Sequence, residues 1–315
     1  MKKLTFVVSI ICALALVGAA PVQAKEKTQK TAEVKLKVAK KGSEKAFLKA
    51  AEKGDLEAVQ KYLARENANV NVTRKDGATA LVLASCEGHL NVALELLAQD
   101  DIDVTAKQCV DKVCDYRQSA LRCAVSNSLP EVVHEILKHE EVDVNDNGWE
   151  GPSDYANDGY TPFVMAVVSN DVPVLKELLT RKDVKLNVKA GRYDRTALMY
   201  AAQDGHVEAI EALYQWDISD RPDDDRFLDV NQQDRYGWTA LMLAAEYNQI
   251  GSVATLLQWE KLDPKIKNTG GKTAMDETDN KIIKRMIKKN IDKYNKRKGE
   301  LAARMIEASY NNSLL

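Results

Sequence analysis

The sequence predicts an all-α solenoid of helix–turn–helix units, joined by extended hairpin-like turns and closed at each end by a capping half-repeat. Two observations predict it. The stretch TALMYAAQDGHVEAIEALYQ (residues 196–215) returns as TALMLAAEYNQIGSVATLLQ (residues 239–258), with fainter echoes upstream. A catalytic motif needs one copy, whereas a stacking unit needs several. The second observation is size. A chain of 315 residues is long for one compact core, and no Pro/Gly/Ser linker divides it; a repeat array removes the difficulty because each unit packs only on its neighbours.

Taken in order, the chain opens with Lys2 and Lys3, an apolar run over residues 4–20, and the small-residue site Val22-Gln23-Ala24. That layout is expected to be a secretory signal peptide over residues 1–24, placing a bacterial protein in the periplasm. Residues 25–43 are lysine-rich and expected to be disordered. The repeat domain is expected over 44–289, with units opening near 44, 79, 119, 161, 196, 239 and 273, and a basic helical extension over 290–315.

Each inner unit carries the same local signals. Thr79, Ser119, Thr161, Thr196, Thr239 and Thr273 offer hydroxyls to cap a new helix. Pro162 occupies a first helical position, where its missing N–H costs nothing. Apolar residues such as Leu241 and Leu243 follow, and Ala244-Ala245 is thin enough for close helix approach. The DGH and EGH turns at Gly205 and Gly88 end the helix with positive φ. A second amphipathic helix comes next, as over residues 92–97 and 174–179. Extended NVNV, VDVN and DVN segments (69–72, 142–145, 229–231) then lead to turns such as DRYG at 234–237.

This T-A/P-L…A…G-H pattern resembles the ankyrin repeat from about residue 43 to 289. Two departures carry expectations. The family usually places His after the helix-opening Leu; Val82, Arg122, Val164, Met199 and Met242 stand there, so its inter-repeat polar network is expected to be missing. Ser128, Asn170 and Asn248 replace Gly between helices, and Ser tolerates positive φ poorly, so the Ser128 unit is expected to be the least regular. At the C-terminal end, Ile282, Ile283, Met286, Ile287 and Ile291 are expected to form one apolar stripe on the last full repeat.

No catalytic constellation stands out. There is no Gly-rich phosphate loop, G-x-S-x-G or H-E-x-x-H, and His89, His134, His139 and His206 all have structural readings. The expectation is a non-enzyme without cofactor or metal. In an oxidising compartment the cysteines matter more. Cys109 and Cys114 in QCVDKVC are the preferred disulfide, worth about 2 kcal/mol for so short a loop; Cys123 reads as a buried thiol and Cys86 as a residue of the binding face. The six-Asp insertion at 217–229 reads as a solvated loop, and residues 146–160 as a projecting recognition loop.

Charge is segregated. Residues 46–280 hold 25 basic and 41 acidic residues, while residues 281–315 hold ten basic and three acidic. An acidic body disfavours nucleic acid and suits a basic protein surface. The basic end reads as a solvated capping helix, without membrane contact.

The resemblance implies binding of a protein partner on the concave face, built from turn tips and first helices. Carried onto this chain, it selects Tyr160, Tyr193, Arg195, Arg235, Tyr236, Trp238, Glu246 and Tyr247, rich in the residue types that dominate binding hot spots. The free protein is expected to be monomeric. Three roles fit: a periplasmic binding scaffold, such as an assembly factor for an envelope or stress-defence enzyme; an inhibitor or immunity protein against a secreted toxin; or a structural envelope protein touching anionic lipid or cell wall.

Overall fold

The computed structural model describes residues 43–110, 116–149, 159–219 and 227–312, the last twelve by their backbone alone. The expected signal peptide, most of the basic segment after it, Cys114, and the middles of the two long insertions lie outside the described residues. Thirteen helices are present among the described residues. Helix α1 covers residues 43–53. It is followed by α2 (Leu56–Leu63), α3 (Ala80–Cys86), α4 (Leu90–Leu97), α5 (Ala120–Ser126), α6 (Pro130–Leu137), α7 (Pro162–Val168), α8 (Val172–Leu179), α9 (Ala197–Asp204), α10 (Val207–Ile218), α11 (Ala240–Glu246), α12 (Ile250–Leu256) and α13 (Lys281–Asn312). A short antiparallel pair, β1 (Lys107–Cys109) and β2 (Arg117–Ser119), lies between α4 and α5 with Gln108 opposite Gln118.

Helices α3, α5, α7, α9 and α11 stack as one layer, and α2, α4, α6, α8, α10 and α12 as a second. Each first helix starts where the sequence places a hydroxyl. Thr79, Ser119, Thr161, Thr196 and Thr239 accept from the backbone N–H three residues on, at 3.3–3.4 Å. The second residue after each cap is then buried between neighbouring units: Leu81, Leu121, Phe163, Leu198 and Leu241 are all at most 2% exposed. Leu96, Ile136, Leu178, Leu213 and Leu256 do the same for the second layer, each 0% exposed. After Thr273 the pattern weakens to a single turn over residues 274–276. There the backbone N–H and hydroxyl of Thr273 both donate to Asp276 (2.9 and 2.7 Å). Those bonds hold the Asp276 carboxyl below its ordinary pKa.

The extended segments form a seam between units. Asn71 donates its amide to the Asp101 carbonyl (2.6 Å), and its carbonyl accepts the Asp103 N–H (2.8 Å). Asn145 repeats this with Asp183 and Lys185 (both 2.8 Å). Asn187 does so with Phe227 and Asp229 (3.0 and 2.9 Å), and Asn231 with Lys261 and Asp263 (2.7 and 2.8 Å). One inner unit breaks the series: Thr105 occupies the asparagine's place and its hydroxyl turns back to Asp103 (2.7 Å). The two units on either side of Thr105 are the pair joined by a disulfide, Cys86–Cys123, whose Cα atoms are 4.5 Å apart.

That disulfide corrects the reading of Cys123 as a buried thiol and gives Cys86, read only as a residue of the binding face, a covalent partner. Cys86 ends α3 and Cys123 is in the second turn of α5, so layer stacking brings them together across 37 residues of sequence. Cys109 is also disulfide-bonded; its expected partner Cys114 lies outside the described residues. At one of the five positions where the family usually has His, a different polar bridge between units is present. Buried Arg122 donates to the Asp146 carbonyl (2.9 Å), to the Tyr160 carbonyl (2.5 Å) and to the Tyr116 hydroxyl (2.6 Å), tying together both ends of the 146–160 insertion.

The Ser128 turn is as regular as its neighbours. Its φ of 54° matches Asn170 (56°) and Asn248 (60°). The preceding Asn127 holds the turn by donating to the Ser85, Cys86 and Cys123 carbonyls at 2.8–3.1 Å. The irregular unit is instead the one with α10, which runs 12 residues. Its Asp217 is not solvated but accepts from the Trp259 indole (3.1 Å) and pairs with Lys261 (2.9 Å). Ile282 leaves the expected apolar stripe and is 58% exposed, because the row that docks is Ile283, Ile287, Asn290 and Tyr294.

Two stability outcomes follow. Leu241→Ala removes a side chain shared by two interfaces and should cost about 2–5 kcal/mol in urea denaturation. Cys86→Ala/Cys123→Ala should cost about 4 kcal/mol from the lost constraint on the unfolded chain. Amide exchange should rise first in α3 and α5, at the junction that has no asparagine bridge.

Candidate functional site

The turn tips are built one upon another. In DRYGW, the Asp234 carboxylate accepts from the Tyr236 and Trp238 N–H groups (both 2.9 Å), closing the tip. Gly237 has φ 76°, and a side chain there would meet the Thr269 backbone at 2.9 Å, so the next tip can approach only a glycine. The Thr269 N–H donates to the Tyr236 carbonyl (3.0 Å) and the Arg235 N–H to the Tyr193 carbonyl (3.1 Å), linking three successive tips by backbone alone.

Side chains reinforce the same order. Arg195 pairs with Asp234 at 3.2 Å, with the two side chains only 12% and 0% exposed. It also donates to Gln203. On the outer side Arg235 pairs with Asp194 at 3.2 Å. The Tyr193 ring lies between two guanidinium groups, Arg192 at 4.6 Å and Arg195 at 4.8 Å from its centroid, and Arg192 reaches the Tyr193 hydroxyl. Tyr236 packs on Tyr193 with centroids 6.1 Å apart, and Tyr160 meets Tyr200 edge-on at 5.3 Å.

These groups enclose an open cavity of about 570 Å³. Six of the eight residues selected from the sequence line it: Tyr160, Tyr193, Arg195, Trp238, Glu246 and Tyr247. The other two, Arg235 and Tyr236, stand at its rim through the Asp194 and Tyr193 contacts. Tyr236 and Tyr247 are 49% and 53% exposed, against a chain whose large apolar and aromatic side chains are mostly covered. Tyr200 was not among the selected residues. It lies four residues after its cap, where sister helices carry Leu83 and Leu243, and that exchange of Leu for Tyr inside the repeat was the signal to follow. Its hydroxyl donates to the Ala190 carbonyl (3.0 Å), and a side chain at Gly191 (φ 68°) would collide with it.

The cavity offers mixed chemistry. Arg192 and Glu246 present opposite exposed charges, while Arg195 has its charge matched by Asp234. Nothing here resembles a nucleophile with an adjacent base. Among the described residues no group of His, Cys, Asp and Glu is placed to hold a metal ion. Two of the histidines have local partners: His89 contacts the Glu52 carbonyl (3.1 Å) and His134 contacts Glu177 (2.8 Å).

Stacked helix pairs presenting a tip-lined aromatic cavity define a repeat scaffold of the protein-interaction class. The family model described as ankyrin repeats (three copies) matches residues 24–108, 47–148, 121–225 and 164–268. The chain belongs to the ankyrin-repeat family. Among solved structures it is similar to the human ASB11 ankyrin repeat domain (18% identity, TM-score 0.57, covering 78% of this chain and 96% of that one). It is likewise similar to the ankyrin repeat domain of Bcl-3, a member of the IkappaB protein family (18% identity, TM-score 0.59, covering 77% and 97%). At that identity the likeness concerns the fold. Comparison with curated proteins finds no match.

Removing the buried carboxylate should collapse this arrangement. Asp234→Ala is expected to cost about 3–5 kcal/mol, because it strands Arg195 and frees two backbone donors at once. Denaturant unfolding followed by circular dichroism would read the loss of stability.

Proposed function

We propose that this chain is a non-enzymatic binding scaffold of the bacterial periplasm that holds a partner protein against the tips and first helices of its C-terminal half. The observation that carries this reading is the cavity between Tyr160 and Tyr247. Aromatic and arginine side chains are concentrated there, and a rigid ladder of tips holds them in place before any partner arrives. Role as an assembly factor for an envelope or stress-defence enzyme suits a surface with both charges and no catalytic group. The compartment is supported by the Cys86–Cys123 disulfide and by the disulfide-bonded state of Cys109, since such bonds persist where thiols are oxidised.

The test is cross-linking in the source organism, comparing wild type with Tyr236→Ala/Trp238→Ala/Tyr247→Ala. A single abundant partner should be captured by wild type and lost, by tenfold or more, from the variant, with the fold intact by circular dichroism. Its identity separates an assembly factor from a toxin inhibitor. A partner retained by the variant would remove the site from this cavity.

A further inference from the structure

Helix α13 does more than close the array. Its inner row, Ile283, Ile287, Asn290 and Tyr294, is buried, with Asn290 donating to the Leu257 carbonyl (3.0 Å) and Tyr294 to Asp263 (2.7 Å). At about 100° per residue, the remaining positions must face away from the repeats. Most of them are cations, and Asp292, which falls by helical phase between Lys281 and Arg285, is the one acid among them up to residue 296. Lys281, Arg285, Lys288, Lys289, Lys293 and Lys296 are exposed, and none has an acidic or hydrogen-bonding side-chain partner among the described residues. Lys284 reaches Asp279 only at 3.8 Å. From residue 281 to 300 the helix carries nine basic residues against Asp292 and Glu300.

We propose that this outer face of α13 is an electrostatic docking surface for an anionic phospholipid bilayer. Four features choose a bilayer over other polyanions. The six cations spread over an arc of about 140° of the helix circumference and about 22 Å of its length, a broad convex face suited to a flat, laterally diffuse charge. Five of the six are lysines, point charges that meet headgroup phosphates well, whereas base-edge readout relies on the bidentate arginine fork. The one aromatic residue on residues 281–300, Tyr294, is buried, so no ring is free for base stacking. Finally Ile282, 58% exposed, falls by helical phase between Lys289 and Lys293, an apolar contact inside the charged face.

The apolar row of α13 is already consumed by the last repeat, so the helix adsorbs without inserting. The acidic repeat body (25 basic, 41 acidic over residues 46–280) would be repelled by the same surface, which orients the molecule with this end toward the lipid. This proposal is independent of the cavity and revises the expectation of a merely solvated cap.

The test is co-sedimentation of the chain from Lys25 onward, which keeps every described element, with phosphatidylcholine vesicles with and without phosphatidylglycerol. Binding should require phosphatidylglycerol, disappear at high salt, and weaken about a hundredfold in Arg285→Gln/Lys288→Gln/Lys289→Gln, at roughly fivefold per charge removed. Unchanged thermal melting of that variant, whose replaced side chains are exposed, keeps the comparison clean. Failure of wild type to sediment at low ionic strength would overturn the proposal, as would a variant that binds like wild type. Salt-sensitive binding to duplex DNA without vesicle binding would overturn it in favour of nucleic acid.

Discussion

An asparagine side chain presents a donor and an acceptor in one plane, a short fixed distance from its own backbone. At four junctions this chain uses that plane to grip the next unit, taking a carbonyl and an N–H from residues 30 to 42 positions away. Aspartate could not donate to the carbonyl, and a longer amide would lose order in the grip. Individually such bonds contribute about 0.5–1.5 kcal/mol. Their larger effect is on register: with the extended segments locked edge to edge, the helices above can stack in only one phase, and the buried leucines of adjacent units meet face to face.

The recognition surface inherits this register. The tips lie at the far end of the same extended segments, so a slip at Asn187 or Asn231 would separate Tyr193 from Tyr236 and Arg195 from Asp234. The cavity therefore owes its shape to a seam that contributes none of its lining. Within the cavity, the buried Asp234 carboxylate plays the local part: it closes one tip through backbone donors and positions a guanidinium from the unit before it.

How much of this was legible depended on whether the signal was local. Helix starts were readable because a capping hydroxyl announces itself within three residues, and the layers followed from the period of leucines and alanines. Four cavity residues were readable because the tip precedes each cap at a fixed offset, and Glu246 and Tyr247 because they follow the Ala pair near the end of the first helix. The asparagine bridge was not, although VDVN and its relatives are plainly visible, because its partners are backbone atoms in another unit and backbone has no letter. The Cys86–Cys123 pairing was hidden for a related reason. The two residues are 37 positions apart in sequence, and only the stacked registers of α3 and α5 put Cys86 beside Cys123. Arg122 was read as the loss of a histidine network, whereas its length lets it reach carbonyls that a shorter side chain would leave unmet.

The asparagine grip has a bearing on how such a chain can change over generations. Because it reads only main-chain atoms, it is indifferent to which residues its neighbour displays, and a duplicated unit arrives already able to hold the one beside it. Lengthening and surface diversification are thereby decoupled: tips can exchange tyrosine for arginine or acid without renegotiating the seam. Thr105 marks the junction without this grip, and the covalent bond beside it shows that such a junction can be secured by an unrelated chemistry.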